Sequence, residues 1–155
     1  MWEDVQLNET PEWAAECLRT GDLVCVTDGS YNKKTAPDIC SAGWVLASKS
    51  TRRYIAGTLV ERSPWANSYR GELLGMLAIR LFLLALEEYC DAVSQGTGNF
   101  CDCKGVITTF EKNTKRVSAG SRNGDILRVL RAVQGRTRSI YHHQHVKGHQ
   151  ATLNV

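Results

Sequence analysis

The sequence of 155 residues, 43% hydrophobic and 23% charged, suits one globular domain with its own core and excludes a disordered chain. Its longest nearly apolar run, Leu73 to Leu86, is broken by Arg80 and is too short to cross a bilayer. The net charge of +3 divides unevenly: residues 1–103 carry 9 basic and 14 acidic side chains and residues 104–155 carry 10 and 2, so the second half fits either a phosphate-facing surface or a solvated helical face.

Residues 1–22 are expected to form a lead-in extension, and residues 23–155 the domain proper. Met1-Trp2-Glu3-Asp4 is acidic with no apolar segment behind it, so the sequence is expected to act inside the cell with its six cysteines mostly reduced and buried. Thr10-Pro11-Glu12 predicts a helix start, with Thr10 as cap and Pro11 in the first turn, and Gly21 predicts its end.

Leu23-Val24-Cys25-Val26-Thr27 predicts a strand buried on both faces and ending at Asp28, with Gly29-Ser30 as a turn. Asp28 alone reads as a cap on that turn. It becomes a candidate metal ligand only if other carboxylates reach the same place. Ser41 to Ala47 and Arg52 to Val60 predict two further strands, joined by a turn at 48–51 into an antiparallel meander.

Ser68 to Tyr89 predicts the principal helix. Met76, Ile79, Leu83 and Leu86 share one face with Glu72, while Leu73, Leu77, Leu81 and Leu84 cover much of the rest, so the helix is expected to lie buried across the sheet. Glu72 near its start is also compatible with a favourable dipole interaction alone. Asn99 to Cys103 predicts a short strand bearing Asp102, followed by a helical stretch from Gly105 to Lys112. Cys101 and Cys103 are expected to be core thiols, because residues two apart on a strand do not complete a zinc site without a second pair at the usual spacing.

Asn113 to Asn123 predicts a polar loop and Asp125 to Gln134 an amphipathic helix, with Ile126, Val129, Leu130 and Val133 inward and Gly135 at its end. Ser139 to Val146 predicts the last strand. His142, His143 and His145 on it lack acidic or thiol partners for a dedicated metal site and are expected to be structural or solvent-facing. His149 falls beyond it in a glycine-containing loop.

Three carboxylates therefore belong to three regular elements. If the strands carrying Asp28 and Asp102 pair in parallel, their ends meet where open α/β sheets bind ligands, and the start of the central helix reaches the same crevice. Hard oxygen donors of like charge suit Mg²⁺ or Mn²⁺.

Thr27-Asp28-Gly29-Ser30, Arg70-Gly71-Glu72-Leu73-Leu74, Asp102-Cys103-Lys104, Asn123-Gly124-Asp125-Ile126-Leu127 and Val146-Lys147-Gly148-His149 together resemble the type 1 ribonuclease H domain, in the form found in reverse-transcribing retroelements. The resemblance runs from about Leu23 to Gln150. It implies an α/β ribonuclease H-like fold with a mixed five-stranded sheet (an antiparallel meander plus parallel strands) flanked by helices. It implies metal-dependent endonucleolytic cleavage of the RNA strand of an RNA–DNA hybrid, within a larger reverse transcriptase polyprotein and with no membrane partner. By the same resemblance Asp28, Glu72 and Asp102 hold two Mg²⁺ ions, His149 matches a mobile histidine that assists proton movement or product release, and Ser30 and Ser68 are candidate contacts to nucleic acid. Asp125 matches a structural acid at a helix start.

One departure stands out. The family's fourth carboxylate, which opens a final helix, would fall near position 159 by its spacing from His149. The sequence is therefore expected to represent a domain truncated before that helix. An inactive nucleic-acid-binding or scaffold module with the same fold is the alternative. An integrase-type core fits less well, because Glu72 lies early in the chain.

Overall fold

A computed structural model describes residues 4–7, 10–111 and 122–146. In chain order the elements are β1 (Asp4–Leu7), α1 (Glu12–Thr20), β2 (Leu23–Tyr31), β3 (Ile39–Ser48), β4 (Tyr54–Arg62), α2 (Ser68–Cys90), β5 (Thr97–Cys101), α3 (Lys104–Glu111), α4 (Gly124–Arg136) and β6 (Tyr141–His145). They build one mixed sheet in the order β1-β4-β3-β2-β5-β6. The meander β2-β3-β4 is antiparallel, and β5 and β6 add in parallel beside β2. The five expected strands are thus present. The sixth, β1, comes from the expected lead-in and extends the sheet antiparallel to β4.

Alternation explains the sheet's two faces. In β2, Leu23, Cys25 and Thr27 are buried while Val24 and Val26 are only half-buried, so the strand is not covered on both sides as its composition suggested. Its inward residues join Trp44 and Leu46 of β3 and Ile55 of β4 under the central helix. Leu73, Met76, Ile79 and Leu83 of α2 fill the space above them. Each such side chain contributes about 1.5–3 kcal/mol on burial. Trp44 packs against Phe82 at 5.5 Å between ring centres, and it does so over Gly57, where a Cβ would lie 2.4 Å from the indole.

Helix α2 begins at Asn67, whose side-chain oxygen accepts the Arg70 N–H at 2.7 Å. Helices α1 and α4 pack against it on the same face of the sheet. Several boundaries differ from expectation: β5 covers Thr97–Cys101 rather than Asn99–Cys103, so Asp102 follows the strand instead of lying in it. The cap position of α1 is Pro11 rather than Thr10, with Gly21 closing the helix in the left-handed region as expected. Helix α4 runs through Gly135 to Arg136. Strand β2 does not stop at Asp28: pairing with β3 continues through Ser30 opposite Ser41 to Tyr31 opposite Cys40.

The opposite face of the sheet carries no helix among the described residues. There Val26, Val45, Ala56 and Thr58 line a groove of about 460 Å³ that runs up to Asp28.

Candidate active site

Three elements converge at the C-terminal ends of the parallel pair. Strands β2 and β5 are in register at Thr27 opposite Cys101, so Asp28, still within β2, and Asp102, just past the end of β5, each come one residue later. Asp28 is exposed at the head of the groove and Asp102 is half-buried. Glu72, in the second turn of α2, is only 7% exposed. Ligand atoms of Glu72, Cys101 and Asp102 all lie within 4.8 Å of one another.

Glu72 reaches this point because α2 sits almost in contact with the strand below. At Gly29 a Cβ would stand 2.7 Å from the Glu72 backbone nitrogen and 2.9 Å from its carboxyl carbon, so only glycine fits. The Gly29 backbone N–H donates to the Glu72 carboxylate. Gly71 serves the same approach: a Cβ there would meet the Ser41 carbonyl oxygen at 3.0 Å.

The first turn of α2 is held by Arg70, 3% exposed. Its guanidinium donates to both carboxylate oxygens of Glu61 at 2.6 and 2.7 Å, to those of Asp125 at 3.1 and 2.7 Å, and to the Asn123 side-chain oxygen at 3.2 Å. These bonds, first to Glu61 and then to Asp125, keep Arg70 charged despite its burial, and Arg70 in turn holds Asp125 below its ordinary value. A buried, doubly bidentate arginine ties the end of β4, the start of α2 and the start of α4 into one unit.

The electrostatics of the pocket fit a cation. Burial first, and the nearby carboxylates of Asp102 and Asp28 after it, push Glu72 up to about 7, against the opposing Gly29 hydrogen bond. Several acidic groups crowded into partly buried space repel one another, and a divalent ion relieves that repulsion. The donor set of carboxylate oxygens is the type that Mg²⁺ and Mn²⁺ take.

Ser30 is exposed, and its backbone nitrogen lies 3.6 Å from the position a Gly71 Cβ would take, which puts it beside the first turn of α2. Ser68 is exposed at the first position of that helix. His149 lies outside the described residues. His145 places Nε2 2.9 Å from the Asp102 carbonyl oxygen and so braces the loop carrying that acid. Burial, followed by the Arg80 and His142 charges, lowers His143 to about 4, in keeping with a structural rather than proton-transferring residue. Arg80 stacks over Tyr141 at 4.1 Å, beneath β6.

Two features were not drawn from the sequence. The Arg70 network was one, although Arg70 and Asp125 both sit in the motifs. The other is Cys101: it is a core thiol as expected, fully buried, yet its sulfur also lies 3.7 Å from Glu72 Oε2. All six cysteines are free thiols.

No family model and no curated relative matches the sequence. Solved structures do match the fold. RNase H1 from the halophilic archaeon Halobacterium salinarum is 17% identical with a TM-score of 0.58, over 84% of this chain and 87% of that one. The N-terminal RNase H domain of a Mycobacterium tuberculosis protein is 14% identical with a TM-score of 0.58, over 84% and 86%. A foamy viral protease-reverse transcriptase, solved with an RNA/DNA hybrid, is 10% identical with a TM-score of 0.63; the match spans 88% of this chain and 19% of that one. The chain thus has a ribonuclease H-like fold.

Proposed function

We propose that this chain is a metal-dependent endonuclease that hydrolyses the RNA strand of RNA–DNA hybrids, with two Mg²⁺ or Mn²⁺ ions at Asp28, Glu72 and Asp102. The observation that carries the reading is the convergence of Glu72 and Asp102 where the β2–β5 pairing ends, with Asp28 the next residue of β2 beyond that pairing. The match to RNase H1 structures supports the same placement of chemistry on this fold. The foamy viral match supports an origin within a retroelement polyprotein.

Bound divalent ions would supply Lewis acidity for in-line attack by water. In that attack the water oxygen bonds to phosphorus as the bond to the 3′ oxygen breaks, leaving a 3′-hydroxyl and a 5′-phosphate. The residues of the chain do the positioning. Gly29 and Arg70 fix Glu72 from below and behind. Exposed Ser30 and Ser68 flank the acids where 2′-hydroxyls identify the RNA strand. His149 moves a proton at or after cleavage.

Cleavage of a labelled hybrid in Mg²⁺ tests the reading. Asp102→Asn should lower the rate by at least about 100-fold, since even partners of metal ligands are worth 10–100-fold. A folded chain that binds hybrid but cleaves it with neither Mg²⁺ nor Mn²⁺ would point instead to a nucleic-acid-binding module.

A further inference from the structure

We infer that Cys101 converts part of this site into a trap for thiophilic divalent cations, with Zn²⁺ or Cd²⁺ held by Glu72, Cys101 and Asp102 to the exclusion of Asp28. The inference rests on the reading of Glu72 and Asp102 as metal ligands, and it adds a second, competing mode of occupancy.

Three observations carry it. The ligand atoms of these three residues lie within 4.8 Å of one another, a group that includes the sulfur and leaves out Asp28. The separation of Cys101 Sγ and Glu72 Oε2 is 3.7 Å. In a tetrahedral site with ordinary Zn–S and Zn–O lengths, adjacent sulfur and oxygen ligands stand about 3.6 Å apart. The thiol therefore needs almost no movement to share a zinc ion with the glutamate.

Burial pushes the Cys101 thiol up to about 12, so the free site holds it protonated and the bound cation has to supply the charge that makes it a thiolate, helped by two donors beside the sulfur. The Cys103 backbone N–H donates to Cys101 Sγ at 3.4 Å. Thr27, 2% exposed and directly opposite Cys101 across the β2–β5 pair, has its hydroxyl buried with no hydrogen-bond partner. Threonine and cysteine at paired positions point to the same side of the sheet, so that hydroxyl lies on the side of the sulfur and can donate to it. On ligation the thiol proton leaves to solvent and the sulfur binds the metal as thiolate.

Cation chemistry sets the selectivity. Mg²⁺ demands oxygen ligands in near-octahedral geometry and gains nothing from sulfur, whereas Zn²⁺ takes mixed sulfur and oxygen sets with four ligands. Zinc held by the thiol occupies the two acids shared with the Mg²⁺ mode. It should therefore block hybrid cleavage at concentrations far below the Mg²⁺ requirement.

Cobalt titration of the reduced, metal-free chain, without nucleic acid, tests this. The inference predicts a near-ultraviolet thiolate-to-Co²⁺ charge-transfer band with tetrahedral visible absorption, saturating at one equivalent. Zn²⁺ should displace it stoichiometrically, and a large excess of Mg²⁺ should not. Cys101→Ala should remove the band and weaken Zn²⁺ by about tenfold or more, while Cys103→Ala should keep it. Because Cys101 is buried, Asp102→Asn at the half-buried rim provides a second variant, which should also weaken Zn²⁺. Absence of the band in the unsubstituted chain, or its persistence in folded Cys101→Ala, would overturn the inference. Since the readout uses no hybrid, a chain that cleaves hybrid but shows no band refutes only the trap, and a chain with the band but no cleavage refutes only the nuclease.

Discussion

Glu72 is a buried acid whose charge is tolerated only with help. Its value of about 7 lies above the ordinary 4.5, so between those limits the native chain holds a proton that the unfolded chain has released. The contribution of Glu72 to stability is therefore fully present below about pH 4.5 and is lost as pH rises through about 7. Urea unfolding of the metal-free chain should show falling stability across that window, and saturating Mg²⁺ or Glu72→Gln should flatten the trend. An unchanged pH dependence in Glu72→Gln would assign the slope to other groups. Gly29→Ala tests the close approach below Glu72: it should cost about 1–3 kcal/mol from overpacking and weaken Mg²⁺ binding, measured by calorimetry. At this scale Asp28, Glu72 and Asp102 were singled out because carboxylates beside apolar strands and helices are rare without a reason, and the structure brings Glu72 and Asp102 together. The contact of Cys101 with Glu72 was not, because 29 residues separate them and a thiol in a strand reads equally as core.

Among the elements, α2 carries the site, and its first turn is fixed from three sides. Arg70→Ala should destabilise the chain by about 3 kcal/mol, the lower end of the range for breaking a buried ion pair, because Glu61 and Asp125 keep partial access to water. Arg70→Lys should recover only part of that loss, since an ammonium cannot donate to both carboxylates in the same fork. Equilibrium unfolding of both variants measures the difference. The helix itself was plain from its leucine-rich run between Ser68 and Tyr89. The arginine clamp was not, since its partners lie 9 and 55 residues away and only packing brings them together. The extension of β2 past Asp28 was hidden for a related reason. Gly29-Ser30 has turn composition, and the glycine is there to admit α2 rather than to bend the chain.

For the whole molecule, the antiparallel meander followed from its short connections, whereas the parallel pairing of β2 with β5 entered as a condition and as what the family resemblance implies, and the structure contains it. β1 was not legible, because a four-residue edge strand has no pattern apart from its partner β4. The basic excess after residue 104 also needed the structure to interpret it. Arg136 pairs with Glu88, and Arg138 bonds the Glu87 carbonyl oxygen and Asp91, so part of that charge secures α4 and the approach to β6 on α2. The buried Glu87 carboxylate accepts the backbone N–H groups of Arg138 and Ser139, fixing the entry to β6. The central claim is that three carboxylates on β2, α2 and the end of β5 form a working cation site on this fold. The most direct measurement is cleavage of a labelled RNA–DNA hybrid by the chain and by Asp28→Asn, side by side in Mg²⁺ and in Mn²⁺. The account predicts RNA fragments ending in 3′-hydroxyl and 5′-phosphate from the unsubstituted chain, and their loss in the variant. Intact RNA after incubation with a folded, hybrid-bound chain, or equal cleavage by Asp28→Asn, would contradict it.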